Sequence, residues 1–335
     1  MRPIFQPRLV NGPTGDPCLY VDFLFEKRAL LFDLGDLAAL PPKKLLRVSH
    51  VFVSHTHMDH FVGFDRLLRI CVGRAQSVHL FGPAGFVAQV EHRLAAYTWN
   101  LVANYDTNLT LTATECTPDG STRSARFQCR RRFAAEPLPP GSAVDGVLLD
   151  DHACRVRAVS LDHQVPCLGF LLEEKPHVNI WKNRLAEMGL AVGPWVSDLK
   201  RAVARGDADA TPIRASWREA GVARDRVLPL ALLRERAVRI VPGQKIGYVT
   251  DVIGHAENCG KIAALVRGAD LLFIEAMFLD EDADHAARKF HLTAGQAGAI
   301  ARAAQAGAVI PFHVSARYAG EESRVAEELQ RAFAQ

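Results

Sequence analysis

Four side chains of the kinds that bind metal ions fall within six residues: His55, His57, Asp59 and His60, in the segment 51–63, VFVSHTHMDHFVG. A hydrophobic run enters the segment and a helix-forming stretch leaves it, so it reads as a strand that delivers polar side chains at its end. On an extended backbone, residues two apart point the same way, so His55 and His57 can share one cation. The turn that follows brings Asp59 and His60 round to face a second. Imidazole nitrogens with a carboxylate suit Zn²⁺, and also Mn²⁺ or Fe²⁺. A chance meeting of surface histidines is the competing explanation, and four ligand types in six residues at a strand end count against it.

One such segment holds too few donors for two ions, because each ion needs further ligands and an open position for water or substrate. The remaining donors are expected at other strand ends. His163 follows a strand over 156–161 in AVSLDHQVPCLGF, Asp251 follows IGYVT, and His313 closes AVIPF just before VSARY. Each stands where a strand hands a side chain to the edge of a sheet. Taken singly, each would more often be a hydrogen-bonded structural residue.

These positions require a scaffold of strands with helices between them. Strands are expected over 19–25, 29–33, 51–54 and 78–81, with helices over Phe64–Cys71 and 85–98. Strands and polar turns alternate over 105–159, and the arginine-rich stretch 123–132 there reads as a solvated edge-strand face. A strand over 245–250, a helix over 257–267, a strand over 270–275, a helix over 293–306, a strand over 308–313 and a terminal helix from about 321 complete the chain. Two groups of strands, each with its own helices, indicate a layered α/β architecture. Residues 175–240 differ in texture. They hold 13 Lys and Arg against 7 Asp and Glu, a net +6, and three of the four tryptophans, Trp181, Trp195 and Trp217. Breakers at Pro176, Gly189, Gly193-Pro194, Gly206 and Pro212 point to an irregular, partly helical insertion.

The 335 residues carry 40 Lys and Arg against 37 Asp and Glu, a net +3, with 49% apolar and 23% charged residues. That balance excludes a disordered chain, a collagen-like fibre and a polybasic tail protein. Seven cysteines, scattered and without a Cys-x-x-Cys pair, fit reduced thiols in the cytoplasm better than a disulfide framework. The opening residues lack the apolar core of a secretory signal, and no uncharged apolar run reaches the roughly 18 residues of a membrane span. A soluble cytoplasmic protein with no membrane partner is the expectation.

With these residues in view, the chain resembles the metallo-β-lactamase superfamily through HTHMDH, and within it the ribonuclease Z family of tRNA 3′-end endonucleases. The family likeness rests on FHLTAGQAGAIARAAQAGAVIPFHVSARY at 290–318, IEAMF at 274–278, DHQVPCLGF at 162–170 and MGLAVGPWVSDLKRA at 188–202. The resemblance implies a four-layer αβ/βα sandwich, the metallo-β-lactamase fold, as a single hydrolase domain over 1–335 with residues 175–240 as an inserted arm or lid. It implies that His55, His57 and His163 hold one zinc, that Asp59, His60 and His313 hold the other, and that Asp251 bridges them. Asp33 matches a position that orients the site from behind the ligands, and His291 matches a histidine that assists as proton donor. The chain departs from the family pattern at Val249-Thr250-Asp251-Val252, at Ile274 where the family has histidine, at Leu292 where it has serine, and at Asp33-Leu34-Gly35-Asp36-Leu37 in the first half.

The expected chemistry is phosphodiester cleavage on a tRNA precursor by a hydroxide generated between two divalent ions about 3.5–4 Å apart. Asp59 would accept a proton or orient that hydroxide, and His291 would protonate the departing oxygen or stabilise the charged transition state, unless it is a helix-start histidine that bonds locally. Arg317 would clamp phosphate through its guanidinium fork or, equally, form a structural salt bridge. An arginine-rich arm with aromatics suits helical RNA, which is recognised by shape and backbone. A dimerisation element or lid is the other reading of the same segment. For the whole chain, the alternative is a small-molecule metallo-hydrolase, whether phosphodiesterase, lactonase or thioesterase. A non-catalytic nucleic-acid-binding relative is a third reading. The resemblance also suggests a homodimer.

Overall fold

A computed structural model describes residues 3–219 and 221–335. The chain divides into two compact units, Met1–Glu173 with Gln244–Gln335, and Glu174–Gly243.

The first unit is built on two sheets. One runs Phe5–Leu9, Leu19–Phe23, Ala29–Phe32, Val48–Phe52, Gln76–Pro83, Leu109–Cys116, Ser121–Gln128 and Ala135–Pro137, with Gly141–Ser142 beside Ser121–Gln128. Its four strands from Ala29–Phe32 to Leu109–Cys116 are parallel. The other runs Val147–Asp150, Cys154–Asp162, Pro166–Glu174, Lys245–Val249, Leu271–Glu275 and Val309–Phe312, and its last three strands are parallel.

Alternation along the strands sorts the side chains into layers. Leu30, Phe32, Phe52 and Phe81 of the first sheet meet Phe170, Tyr248, Phe273 and Phe312 of the second in one shared core. The opposite faces carry Leu31, Val51 and Leu80 against Phe64, Leu68 and Phe86, and Leu272, Ile274 and Val309 against Ile262, Ile300 and Leu329. Helix, sheet, sheet and helix thus stack as the αβ/βα sandwich the sequence suggested. Between the sheets, Phe52 and Phe81 stack with ring centres 5.2 Å apart, filling space that aliphatic side chains would leave open. The arginine-rich stretch lies on Ser121–Gln128 and just after it, and its charge is met locally: Arg123 pairs with Glu115 at 2.8 Å and Arg126 with Glu136 at 2.6 Å.

The unit Glu174–Gly243 is not irregular. His177–Ile180 pairs with Val238–Val241, and Pro212–Glu219 forms an antiparallel hairpin with Val222–Pro229. Helices Lys182–Glu187, Trp195–Arg205 and Leu230–Ala237 accompany them. Trp195, Leu199, Ile213, Ala215, Leu230 and Leu233 fill a core of the unit's own. The breakers lie between elements rather than inside them. Gly189 and Gly206 take left-handed φ of 70° and 71° after two helices, and Pro212 is the first residue of its strand. Among the described residues, no helix is long and apolar enough to cross a membrane.

Candidate metal centre

The parallel strands of both sheets carry the candidate residues at their C-terminal ends, where open α/β sheets form their ligand crevices. Asp33 follows Ala29–Phe32, His55 follows Val48–Phe52, Asp251 follows Lys245–Val249 and His313 follows Val309–Phe312. Three of these have left-handed backbone: Asp33 at φ 58°, Asp251 at 31° and His313 at 54°. A non-glycine residue held there costs on the order of 1–3 kcal/mol, which the surrounding packing and hydrogen bonds must hold in place.

The ligand atoms of His55, His57, His163 and Asp251 lie within 4.8 Å of one another, as do those of Asp59, His60 and His313. Asp251 stands between the two groups. Its Oδ2 is 3.5 Å from His55 Nε2 and 3.4 Å from both His60 Nε2 and His163 Nε2, while its Oδ1 is 2.7 Å from His313 Nδ1. On the other side, Asp59 Oδ2 is 3.4 Å from His60 Nε2 and 3.2 Å from His313 Nε2. His55, His60, His163, Asp251 and His313 are buried, whereas His57 is exposed and Asp59 half-buried.

A ring of polar contacts fixes these side chains from behind. Asp33, fully buried, accepts from the Ser54 amide at 2.6 Å, the Ser54 hydroxyl at 2.8 Å and the Tyr248 hydroxyl at 2.9 Å, and meets His60 Nδ1 at 3.0 Å. That last contact aims His60 Nε2 at Asp59 and Asp251. His163 Nδ1 lies 2.9 Å from the Phe290 carbonyl. Glu275, also fully buried, accepts from the Val252 amide at 2.7 Å and meets His291 Nδ1 at 2.9 Å.

Electrostatics follow this packing. Burial, with His60 nearby, pushes His55 down to about 2. Burial works against charge on His313 as well, but Asp251 outweighs it and raises that imidazole to about 10. Asp251 is held well below the carboxylate range because His313 and His60 overcome its desolvation. Burial thus favours the neutral form of His55, while Asp251 and His313 favour each other's charged forms.

The donor set fits divalent cations. His55 Nε2, His60 Nε2 and His313 Nδ1 are buried, and none makes a hydrogen bond of good geometry although the Asp251 carboxylate faces all three. Leaving such an atom unsatisfied costs about 1–3 kcal/mol, and a cation coordinated by these nitrogens would remove that cost. Imidazole and carboxylate together are ligands for divalent transition metals, and binding would displace protons from the histidines.

The structure therefore brings all seven proposed ligands into one cluster, with Asp33 behind them. His291 also reaches it, its ring 5.1 Å from that of His163 and 5.6 Å from that of His313. Arg317 is engaged elsewhere: it pairs with Asp282 at 3.0 Å and lies over the Phe278 ring, so a phosphate contact would have to break that ion pair. Ile274, where the related pattern has histidine, is fully buried among aliphatic side chains. Tyr248, Ser54 and Glu275 also contribute to the site, although no motif in the sequence assigns them a role there. A tyrosine and a glutamate inside otherwise apolar strands were the available signals, since buried polar atoms need partners.

Comparison with known proteins adds to this geometry. Residues 28–181 and 179–314 match the family model described as a β-lactamase superfamily domain. The chain is 32% identical over 315 residues to the Ribonuclease Z of Deinococcus radiodurans, covering 92% of this chain and 90% of that protein. It is 28% identical over 318 residues to the Ribonuclease Z of Treponema pallidum, covering 92% of this chain and 84% of that one. Among solved structures, the short form of human tRNase Z superposes with a TM-score of 0.50 at 20% identity, over 93% of this chain and 91% of that one, a likeness of fold. Since the superfamily pattern spans most of the chain and the 32% identity runs along nearly all of it, this chain belongs to the β-lactamase superfamily and, within it, to the ribonuclease Z family.

Proposed function

We propose that this chain is a metal-dependent endoribonuclease acting on tRNA precursors, with zinc as its resident metal. The observation that carries the reading is the gathering of seven donors, Asp251 among them, into two adjoining groups in a chain of the ribonuclease Z family. His55, His57 and His163 would hold one ion, Asp59, His60 and His313 the other, with Asp251 serving both. Two such ions make water nucleophilic at neutral pH and neutralise charge gathering on a phosphodiester under attack. The chain's own residues do the rest. Asp59, half-buried at the mouth of the cluster, orients the attacking water. His291 has its Nδ1 held by Glu275, which fixes Nε2 as the atom that gives a proton to the departing ribose oxygen.

The unit Glu174–Gly243 is the RNA-binding arm in this reading. Support comes from the +6 charge of residues 175–240 and from a hairpin whose Arg218, Arg224 and Arg226 are exposed beside Trp217. Backbone phosphates are met by exposed arginines, and unpaired bases stack on aromatic rings. The proposal includes a cytoplasmic location, consistent with seven free cysteines, and a homodimer, which rests on the family resemblance alone.

The test is a paired assay of the zinc-loaded protein on a 3′-extended tRNA precursor and on a chromogenic bis-aryl phosphodiester. Cleavage of the precursor at its 3′ side, abolished by a chelator and restored by zinc, is the expected result. Hydrolysis of the small diester alone would replace this reading with a small-molecule phosphodiesterase. Binding of RNA with no hydrolysis of either would make the chain a non-catalytic relative.

A further inference from the structure

The helix Ala256–Leu265 begins with an unusual cap. His255 is its N-cap, and the Asn258 amide donates to His255 Nδ1 at 3.2 Å. In the reciprocal form of such a cap, the side chain at the position of Asn258 would reach back to the N-cap amide. Asn258 turns inward instead and is 1% exposed. Its Oδ1 accepts from the Asp162 amide at 3.1 Å, and its Nδ2 donates to the Asp162 carbonyl at 2.9 Å and the Ile253 carbonyl at 2.8 Å. Both amide protons and the carbonyl oxygen are thus engaged, which an aliphatic residue cannot reproduce.

The two backbones so joined are those that carry metal ligands. Asp162 immediately precedes His163, and Ile253 lies two residues after Asp251. The Ile253 amide also donates to the Asp162 carbonyl at 3.0 Å, and Asp162 Oδ1 accepts from the Gln164 amide at 2.8 Å, closing the turn that presents His163. His163 and Asp251 are the members of the first donor set that the second sheet supplies; His55 and His57 come from the first sheet. Neither His163 nor a residue that Asn258 bonds belongs to the set Asp59, His60 and His313, whose His60 is held by Asp33.

We infer that Asn258 is a positioning residue that sets the register of His163 against Asp251 and so governs one of the two metal sites selectively. The inference rests on the two-metal reading of the cluster. Thr250 Oγ1, 2.8 Å from Asp251 Oδ1, and Glu275, which holds the Val252 amide, still anchor Asp251 when Asn258 is lost. The other site then keeps its ligands in place. Outer partners of this kind alter metal affinity by roughly 10–100-fold.

The experiment strips the full chain of metal, titrates it with zinc, and follows amide hydrogen exchange in the metal-free state. Wild type is expected to take up two zinc ions. Asn258→Ala is expected to weaken one step roughly 10–100-fold and to leave the other within threefold. In the same variant, exchange should speed up around Asp162–Val165 and Ile253–His255 and stay unchanged around Asp33, Ser54 and Val252. Should the alanine variant not fold, Asn258→Ser is titrated in the same way. Equal weakening of both steps, or two unchanged steps with unchanged exchange, overturns the inference. A wild-type chain that binds no zinc overturns the two-metal reading instead, and the exchange pattern then decides separately whether Asn258 joins the two loops.

Discussion

The two units of the chain use polar groups in opposite ways. Around the metal cluster, charges are buried and each is aimed by another. Asp33, at 0% exposure, binds Ser54 and Tyr248 and steers His60, while Glu275, also at 0%, holds His291 and the Val252 amide. On the hairpin of Glu174–Gly243 the charges stand in water. The Arg214–Asp225 pair across the hairpin has side chains 73% and 49% exposed, and Arg224 meets Glu219 only at 3.5 Å. Buried networks hold their members in one arrangement, and losing a partner leaves a buried polar atom unsatisfied. Exposed pairs contribute about 0–1 kcal/mol and tolerate change, but they attract a polyanion from a distance. In the proposed reading, chemistry belongs to the first kind of region and recognition by charge to the second.

The most severe break of this contrast is Asp251→Ala. It removes the carboxylate that faces His55, His60, His163 and His313 together, and leaves their nitrogens turned on one another. Metal content should fall toward zero and hydrolysis by about 10³-fold or more, since metal stabilisation supplies several kcal/mol of the barrier. Elemental analysis and turnover on both substrates read the outcome, and full activity would remove Asp251 from its assigned place. Next comes His291→Ala, with an expected loss of about 10²-fold or more in turnover and unchanged metal content. If His291 is the proton donor, wild-type turnover falls on the alkaline side of its pH profile and the variant lacks that limb.

Tyr248→Phe probes the same network more gently. It deletes one hydroxyl, at 2.9 Å from Asp33 Oδ2, and leaves the ring in the core with Phe32 and Phe312. A hydrogen bond to a charged group contributes about 1.5–3 kcal/mol, so the unfolding midpoint should drop accordingly, with turnover reduced severalfold. Arg214→Gln, which breaks an exposed pair, should shift stability by less than about 0.5 kcal/mol. Equal effects from the two substitutions would erase the distinction between the regions.

What could be read from the sequence divides along the same line. HTHMDH was legible because its donors are neighbours; His163, Asp251 and His313 stand at strand ends, and the family resemblance singled them out as ligands. The layered architecture was legible from strands alternating with helices, whereas the two cores that Leu30 and Leu31 enter were not, because every residue of Ala29–Phe32 is apolar and buried. The supporting contacts were not, because Tyr248 meets Asp33 and Asn258 meets Asp162 only after the sheets and loops have come together. Local pattern carries no trace of a partner so far along the chain. The hairpin escaped for a different reason. Its first strand alternates through Ile213, Ala215 and Trp217, but Val222–Pro229 is exposed along nearly all its length and carries Arg224, Asp225 and Arg226 in succession. With one half-buried strand and one solvated strand, the pair lacks the two-sided pattern by which a hairpin is recognised.

One further substitution is the most discriminating for the role of that hairpin. Arg218 has no ion-pair partner among the described residues, and Arg226 touches only the Met188 carbonyl, at 3.4 Å, so both are free to meet phosphate. Replacing both with glutamine leaves the unit's core untouched, because Trp195, Ile213 and Leu230 lie elsewhere. If each arginine contacts one phosphate, KM for a tRNA precursor should rise by about tenfold. The slope of log affinity against log salt should also become shallower by about 2. Turnover on the small diester should not change, because neither residue belongs to the metal cluster. An unchanged salt slope would mean that the +6 of this segment serves something other than RNA, and a parallel loss on the small diester would mean that the two units do not divide the work.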